Sequence, residues 1–326
     1  MTKGWKILKC SFKEFFEDRI LKLSAALAYY TIFSLPGLLI IIIWISDIFY
    51  KQDAVEGTLY DQIGGFVGSE AALQIQETIR NATQSSESGF ATIVGLATLI
   101  IGATSIFGEV QDSINLIWKL KAKPKKGMGW VKLITNRLLS FSIIITLGFL
   151  LLVSLIINGI MDLLIDRLTQ KFPETQVILA YAANMVLTFL ITSFLFGLIF
   201  KVLPDARIRW RHVRAGAFTT ALLFMAGKFL IGLYLGQSKM SSAYGAAGSI
   251  IVILLWVYYS SIILYFGAVF TRQYAIHNGS HIYPNNYAVW IEQVEVQTHD
   301  SLQEHPVTTK TIEVPEGEKP PELPSN

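Results

Sequence analysis

Hydrophobic positions in this chain fall in long unbroken blocks, not in the one-in-two or one-in-three patterns of soluble elements. Six blocks, at about 25–48, 90–108, 138–160, 177–203, 215–236 and 248–271, are each long enough to cross a hydrocarbon core of about 30 Å, which takes roughly 20 helical residues. The second is the weakest, because Gly and Thr dilute it and Glu109 closes it. Ahead of the first block the pattern turns helical and amphipathic. Trp5, Leu8, Phe12, Phe15, Phe16, Ile20 and Leu23 share a stripe, with Lys6, Lys9 and Lys13 off it, which predicts a helix over 5–23 lying on a membrane surface. After Arg272 the blocks stop. Residues 282–296 keep a few apolar and aromatic positions that suit packing on the inner surface, and from Gln297 the chain is polar and Pro-rich, the composition of a disordered tail.

These patterns predict an all-α membrane protein in three parts. Residues 1–24 form an amphipathic helix on the cytoplasmic surface, 25–276 a domain of six transmembrane helices, and 277–326 a cytoplasmic tail disordered from about 297. The acidic stretch at 49–88 reads as a solvated outer loop, with a cap over the outer face as the alternative. Six helices permit two inverted halves of three, but no matching motifs relate the halves.

Composition agrees. Hydrophobic residues make up 52% of the chain and charged residues 16%, against about 25% charged in soluble domains. The distribution of charge adds orientation. Lys3, Lys6, Lys9, Lys13, Arg19 and Lys22 precede the first block; Lys119, Lys121, Lys123, Lys125, Lys126, Lys132 and Arg137 follow the second; Lys201, Arg207, Arg209, Arg211 and Arg214 follow the fourth. The alternate loops hold only Lys51, Arg80, Arg167, Lys171 and Lys239. By the positive-inside rule both termini lie in the cytoplasm, as expected for a multi-pass protein of a bacterial cytoplasmic (inner) membrane. The first block is too long for a signal-peptide core and no cleavage motif follows it, so it reads as a retained anchor. The single cysteine, Cys10, excludes a disulfide framework and a Cys-based metal site.

Several residues inside the blocks need a reason to be there. Lys228 lies about 20 Å along the fifth helix at 1.5 Å per residue, and an unpaired charge at that depth costs at least about 2.5 kcal/mol. Its helical face carries Ala217, Ala221, Phe224, Gly232 and Gly236, a packing face with a GxxxG pair that also permits a homo-oligomer. Counting by rise puts the neutral Asn184 and Trp256 near it. Three readings stand: a lysine bonded to carbonyls, a lysine meeting an anion or lipid headgroup in an outer cavity, or one snorkelling at the lipid. The first helix groups Tyr29, Tyr30, Thr31, Ser34 and Pro36. Pro36 removes a backbone hydrogen bond, which suits either a packing kink or the wall of a site. In the second helix Ala91, Gly95, Thr98, Gly102 and Ser105 form a packing stripe, with Gln111, Asp112, Asn115 and Trp118 as a polar cap at its inner end.

Signals for an enzyme are weak. The histidines (His212, His277, His281, His299 and His305) read as loop or tail residues, and Asn278–Gly279 between His277 and His281 marks a turn. No phosphate-cradling loop or nucleophile elbow occurs, so neither a cofactor nor a catalytic residue is expected. The basic loops follow topology, which points to lipid headgroups and not to nucleic acid.

Ordered along the chain, Ala25-Ala26-Leu27-Ala28-Tyr29-Tyr30-Thr31 with Ser34-Leu35-Pro36, then Asn115-Leu116-Ile117-Trp118, Leu203-Pro204-Asp205, Ala215-Gly216-Ala217, Tyr244-Gly245, Leu255-Trp256-Val257-Tyr258 and Phe266-Gly267-Ala268 resemble the YihY/BrkB membrane proteins. The resemblance runs from about residue 20 to 275 and implies a six-helix protein of the bacterial cytoplasmic membrane. That family often has an acid after the last Gly-Ala, where Val269 stands here, so no role of that acid carries over. Its older label, ribonuclease BN, finds no support, since metal-assisted hydrolysis needs His and carboxylate ligands that the motifs lack. The expected function is a non-ATP-driven transporter or lipid-handling protein for an anionic amphiphile. Tyr30, Ser34, Asn184, Lys228 and Trp256 line its cavity, with Tyr29, Pro36 and Tyr244 as further wall candidates. A membrane scaffold that moves nothing is the alternative.

Overall fold

The computed structural model describes residues 3–49, 73, 102, 105–122, 174–237, 247–279, 282–285 and 288–291. The spans expected at 90–108 and 138–160 (apart from 102 and 105–108), most of the loop 49–88, Tyr244 and the tail from 297 lie outside these residues. What is described is mostly helical: α1 (Lys3–Glu17), α2 (Ile20–Phe49), a helical stretch α3 over 105–117, α4 (Glu174–Val202), α5 (Trp210–Gln237) and α6 (Ala247–His277). Four strands of two or three residues complete it: β1 (Leu120–Ala122), β2 (Ala206–Arg207), β3 (Tyr283–Pro284) and β4 (Ala288–Trp290). Among the described residues three helical segments, Asn184–Val202, Trp210–Ile231 and Ile251–His277, are long and apolar enough to cross a membrane.

The helix expected over 5–23 is two elements. α1 ends at Glu17, and Arg19 takes a left-handed φ of 52°. Its N–H bonds back to Phe16 O and α2 starts at Ile20. A left-handed residue past the last turn is how many helices stop, but it is Gly in most of them, so an Arg left no mark in the sequence. The turn is secured from outside: Asp18 pairs with Lys119, itself left-handed at φ 57° where α3 gives way to β1. α1 does not stand free of the bundle. Ile7, Ser11 and Phe15 are buried, and Phe12 and Phe15 both meet the Phe266 ring of α6. Trp5 and Phe16 remain exposed on its other side.

α5 and α6 pack antiparallel through a reciprocal motif. Gly216 lies against Thr271 and Gly267 against Thr220, so each helix offers a Gly that receives the other's Thr. Both hydroxyls are spent on their own helix, Thr220 donating to Gly216 O and Thr271 to Gly267 O, each at 2.7 Å. Small residues that let backbones approach are the means by which membrane helices associate, since lipid removes the hydrophobic drive. α4 pairs with α5 through Gly197 against Ala217 and Trp210, and through Phe196 edge-on to Phe224.

One end of the bundle collects the start of α2, the ends of α3, α4 and α6, and the start of α5. The main core lies there, with Trp118, Phe200, Val213 and Tyr265 all fully buried. The segment after α6 turns at Gly279 (φ 67°) and stitches this end together. β3 pairs with β2 in the α4–α5 connection, and β4 pairs with β1 after α3. The basic segments before α2, after α3 and between α4 and α5 are thereby brought to one pole.

Candidate functional site

Lys228 is half-buried on α5, inside a membrane-crossing segment. Trp256 of α6 packs edge-on against Phe224, one turn before Lys228, and Val252 of α6 packs with both Trp256 and Ile231, one turn after Lys228. The indole therefore borders the turn of α5 that leads to Lys228. Beside it the Tyr259 ring lies directly over Gly227, where any side chain would collide. Tyr259 was missed in the sequence, although the polar run Tyr258-Tyr259-Ser260-Ser261 inside an apolar block is the signal that marks it. Ser260 adds a buried hydroxyl with no hydrogen-bond partner. The ion pairs among the described residues (Lys13–Glu17, Lys119–Asp18 and Arg272–Glu14) do not include Lys228.

The other expected wall residues divide. Asn184 is half-buried on α4, and Thr188 one turn on reaches its Oδ1 at 3.5 Å. Tyr29 and Tyr30 stand on the exposed side of α2, in ring contact with each other and, for Tyr29, with Phe33. Ser34 is buried, bonded to Thr31 O at 2.8 Å and pressed against Gly102. No described contact joins these three to Lys228. α2 runs through Pro36 as helix; that side chain and Tyr244 lie outside the description.

The pole holds a second polar assembly. Asn115 and Asp205, both buried, bond reciprocally: Asn115 Nδ2 donates to Asp205 Oδ2 at 3.0 Å, and Asp205 N–H donates to Asn115 Oδ1 at 2.8 Å. Gln111 Nε2 donates to Asp205 Oδ1 at 3.2 Å, and Asn285 N–H to the Asp205 carbonyl at 2.9 Å. Trp118 Nε1 donates to Ala268 O at 3.0 Å. Arg272 reaches Glu14 at 3.1 Å, tying α6 to α1. Short motifs scattered over some 150 residues of chain thus converge on one cluster. Burial, the Ser113 hydroxyl and the Asp112 charge act on Glu109, with the net effect of raising its carboxyl above the usual carboxylate range. Asp112 is raised too, by protein crowding one side of an otherwise exposed side chain and then by Asp205.

His212 belongs to the first turn of α5 and not to a loop. It is buried, its ring 6.1 Å from that of Tyr274, with neither nitrogen hydrogen-bonded. Val269, in place of the acid common in the resembling family, is fully buried in the core. Among the described residues no three His, Cys, Asp or Glu side chains converge as metal ligands.

Long apolar helices, glycine-mediated packing and a charge-bearing pole define a membrane-embedded helical protein. The chain belongs to the family described as Virulence factor BrkB, whose signature covers residues 11–286. It is 27% identical over 257 residues to a UPF0761 membrane protein of Stenotrophomonas maltophilia, covering 78% of this chain and 57% of that one. With a UPF0761 membrane protein of Saccharophagus degradans it shares 28% identity over 273 residues, covering 83% and 60%. A third, from Xanthomonas campestris, is 26% identical over 262 residues, covering 78% and 57%. The chain spans about three fifths of the length of these relatives. No solved structure matches it.

Proposed function

We propose that the protein is a six-span transporter or lipid-handling protein of the bacterial cytoplasmic membrane, with its basic pole in the cytoplasm, acting on an anionic amphiphile without ATP. Lys228 carries this reading. A lysine inside a span is costly enough that it needs a partner, and among the described residues no carboxylate supplies one. A substrate phosphate or carboxylate would neutralise it, with Trp256 and Tyr259 as amphipathic walls for the adjoining chain or headgroup. The basic pole and the exposed Trp5 and Phe16 of α1 suit contact with anionic headgroups at the inner surface. No catalytic residue, cofactor or nucleic acid enters the reading, and a homo-oligomer through Gly232–Gly236 is compatible with it.

The test is flux. Purified protein in vesicles containing a fluorescent anionic phospholipid should move that lipid between leaflets, and Lys228→Met should abolish the movement while eluting as folded protein. Undiminished flux in the variant removes Lys228 from the mechanism. A wild-type protein that moves no anionic amphiphile, yet recovers one stoichiometric partner by crosslinking, would establish the scaffold reading instead.

A further inference from the structure

α1 reaches α2 through the short turn Asp18-Arg19, and Arg19 holds a left-handed φ of 52°. A side chain larger than Gly is disfavoured there, so the turn leans on contacts made elsewhere. Charges and rings supply them. Glu14 pairs with Arg272 of α6 at 3.1 Å, Asp18 pairs with Lys119 at the end of α3, and the Phe12 and Phe15 rings stand 5.2 and 6.0 Å from that of Phe266. Both ion pairs are half-made. Asp205 uses its two carboxylate oxygens as acceptors, whereas Glu14 Oε2 and Asp18 Oδ2 are buried with no hydrogen-bond partner among the described residues. A buried acceptor left empty offsets part of what its pair contributes.

The rest of α1 is made for a different neighbour. Ile7, Ser11 and Phe15 are buried, but Trp5, Phe12 and Phe16 recur at helical spacing along an exposed stripe. Lys6, Lys9 and Lys13 are exposed beside them. An aromatic stripe bordered by lysines suits a helix lying in a headgroup layer, and anionic lipid attracts each such lysine. A headgroup phosphate also offers Arg272 and Lys119 the kind of acceptor that Glu14 and Asp18 now supply. An anionic surface therefore pulls α1 away twice, by competing for its two cations and by attracting its lysines. A zwitterionic surface carries no net charge to do either.

We propose that α1 is a latch set by the charge of the membrane, clasped by Glu14–Arg272 and Asp18–Lys119 beside a neutral bilayer and swung about Arg19 onto an anionic one. A hinge of this kind needs only a few residues between packed elements. Release uncovers Phe266, the neighbour of the Gly267 that receives Thr220 of α5, so the change arrives at the α5–α6 joint. The latch rests on the placement of the pole at a membrane surface proposed above, and not on transport.

The experiment measures one distance. In a Cys10→Ser background, nitroxides on Gly4→Cys and Ile276→Cys report α1 against α6 by electron–electron resonance in full-length protein held in lipid nanodiscs. A Cβ at Gly4 meets nothing within 4 Å, and Ile276 is exposed. Gly4 also lies about 20 Å along α1 from the turn, at 1.5 Å per residue. Discs of phosphatidylcholine should give a single distance. An equal mixture with phosphatidylglycerol should add a second population displaced by about 10 Å, for a pivot of about 30° on that arm. Glu14→Gln combined with Asp18→Asn should produce the second population in phosphatidylcholine alone. The same lipid faces both sides and no substrate is needed, so the outcome is independent of orientation and of the flux assay. One unchanged distance for the wild type in both lipids overturns the latch, whether or not the variant folds. So does a folded variant that stays docked in phosphatidylcholine, because the ion pairs are then not the clasp.

Discussion

The two ends of the α5–α6 contact are built on opposite principles. At the pole, polar groups are matched to partners from distant parts of the chain: Asn115 to Asp205, Trp118 to Ala268, Lys119 to Asp18, Arg272 to Glu14. Toward Lys228 the contact is made by aromatic rings, Tyr259 over Gly227 and Trp256 edge-on to Phe224, and the described ion pairs give the ammonium group no counter-charge. Satisfied buried networks fix a structure, and removing one member is costly. A charge inside a span that no described carboxylate pairs costs stability without adding to the fold. The pole ties the helices together, and the Lys228 level is where the function proposed above would put a ligand.

The largest effect expected from breaking this contrast is at Gly216. A Cβ there would collide with the Thr271 side chain and come within 3.2 Å of its Cα, so backbone would have to move. Gly216→Val should cost about 3 kcal/mol or more, at the upper end for overpacked cores, read as a lowered unfolding midpoint in detergent. Next is Asn115→Ala. It strips a donor from the buried Asp205 carboxylate and the acceptor from its N–H, at about 2 kcal/mol by the cost of unsatisfied buried groups.

Smaller still is a pH effect. Glu109 is raised in the folded state, so the folded protein binds more protons than the unfolded chain between the ordinary glutamate range and the raised value. Stability then falls as pH rises through that interval. Glu109→Gln should flatten the fall, measured by thermal unfolding across mildly acid to neutral pH. Gly227→Ala should be the mildest change, about 1 kcal/mol, at the lower end for overpacked sites. It meets only the outer atoms of the Tyr259 ring, which can swing aside, in contrast to Gly216.

Much of this was legible in the sequence, though unevenly. Helices α2, α4, α5 and α6 cover the blocks at 25–48, 177–203, 215–236 and 248–271 because an apolar run of that length leaves the backbone no other way to satisfy itself in lipid. Local pattern failed where structure depends on distance. The stop at Arg19 is held by Lys119, about a hundred residues away. The strands β1–β4 are too short to show an alternation. His212 looked like a loop residue because three arginines surround it in sequence, yet it points into the core of α5. The motifs at Asn115, Asp205 and Ala268 were readable as words, but only folding shows that they touch. Near Lys228, counting rise per residue offered Asn184 and Trp256 as neighbours, whereas Tyr259 needed the helix phase relative to Gly227.

Whether Lys228 faces a path open to an anionic ligand can be read from the accessibility of a thiol in its place. Cys10 is the only cysteine, so Cys10→Ser gives a clean background for Lys228→Cys. A path of the kind argued here predicts rapid labelling of that thiol by a membrane-impermeant reagent added outside, slowed by an anionic phospholipid. A thiol that stays unlabelled from either side of the membrane, in protein that folds normally, would close that path and return Lys228 to a purely structural role.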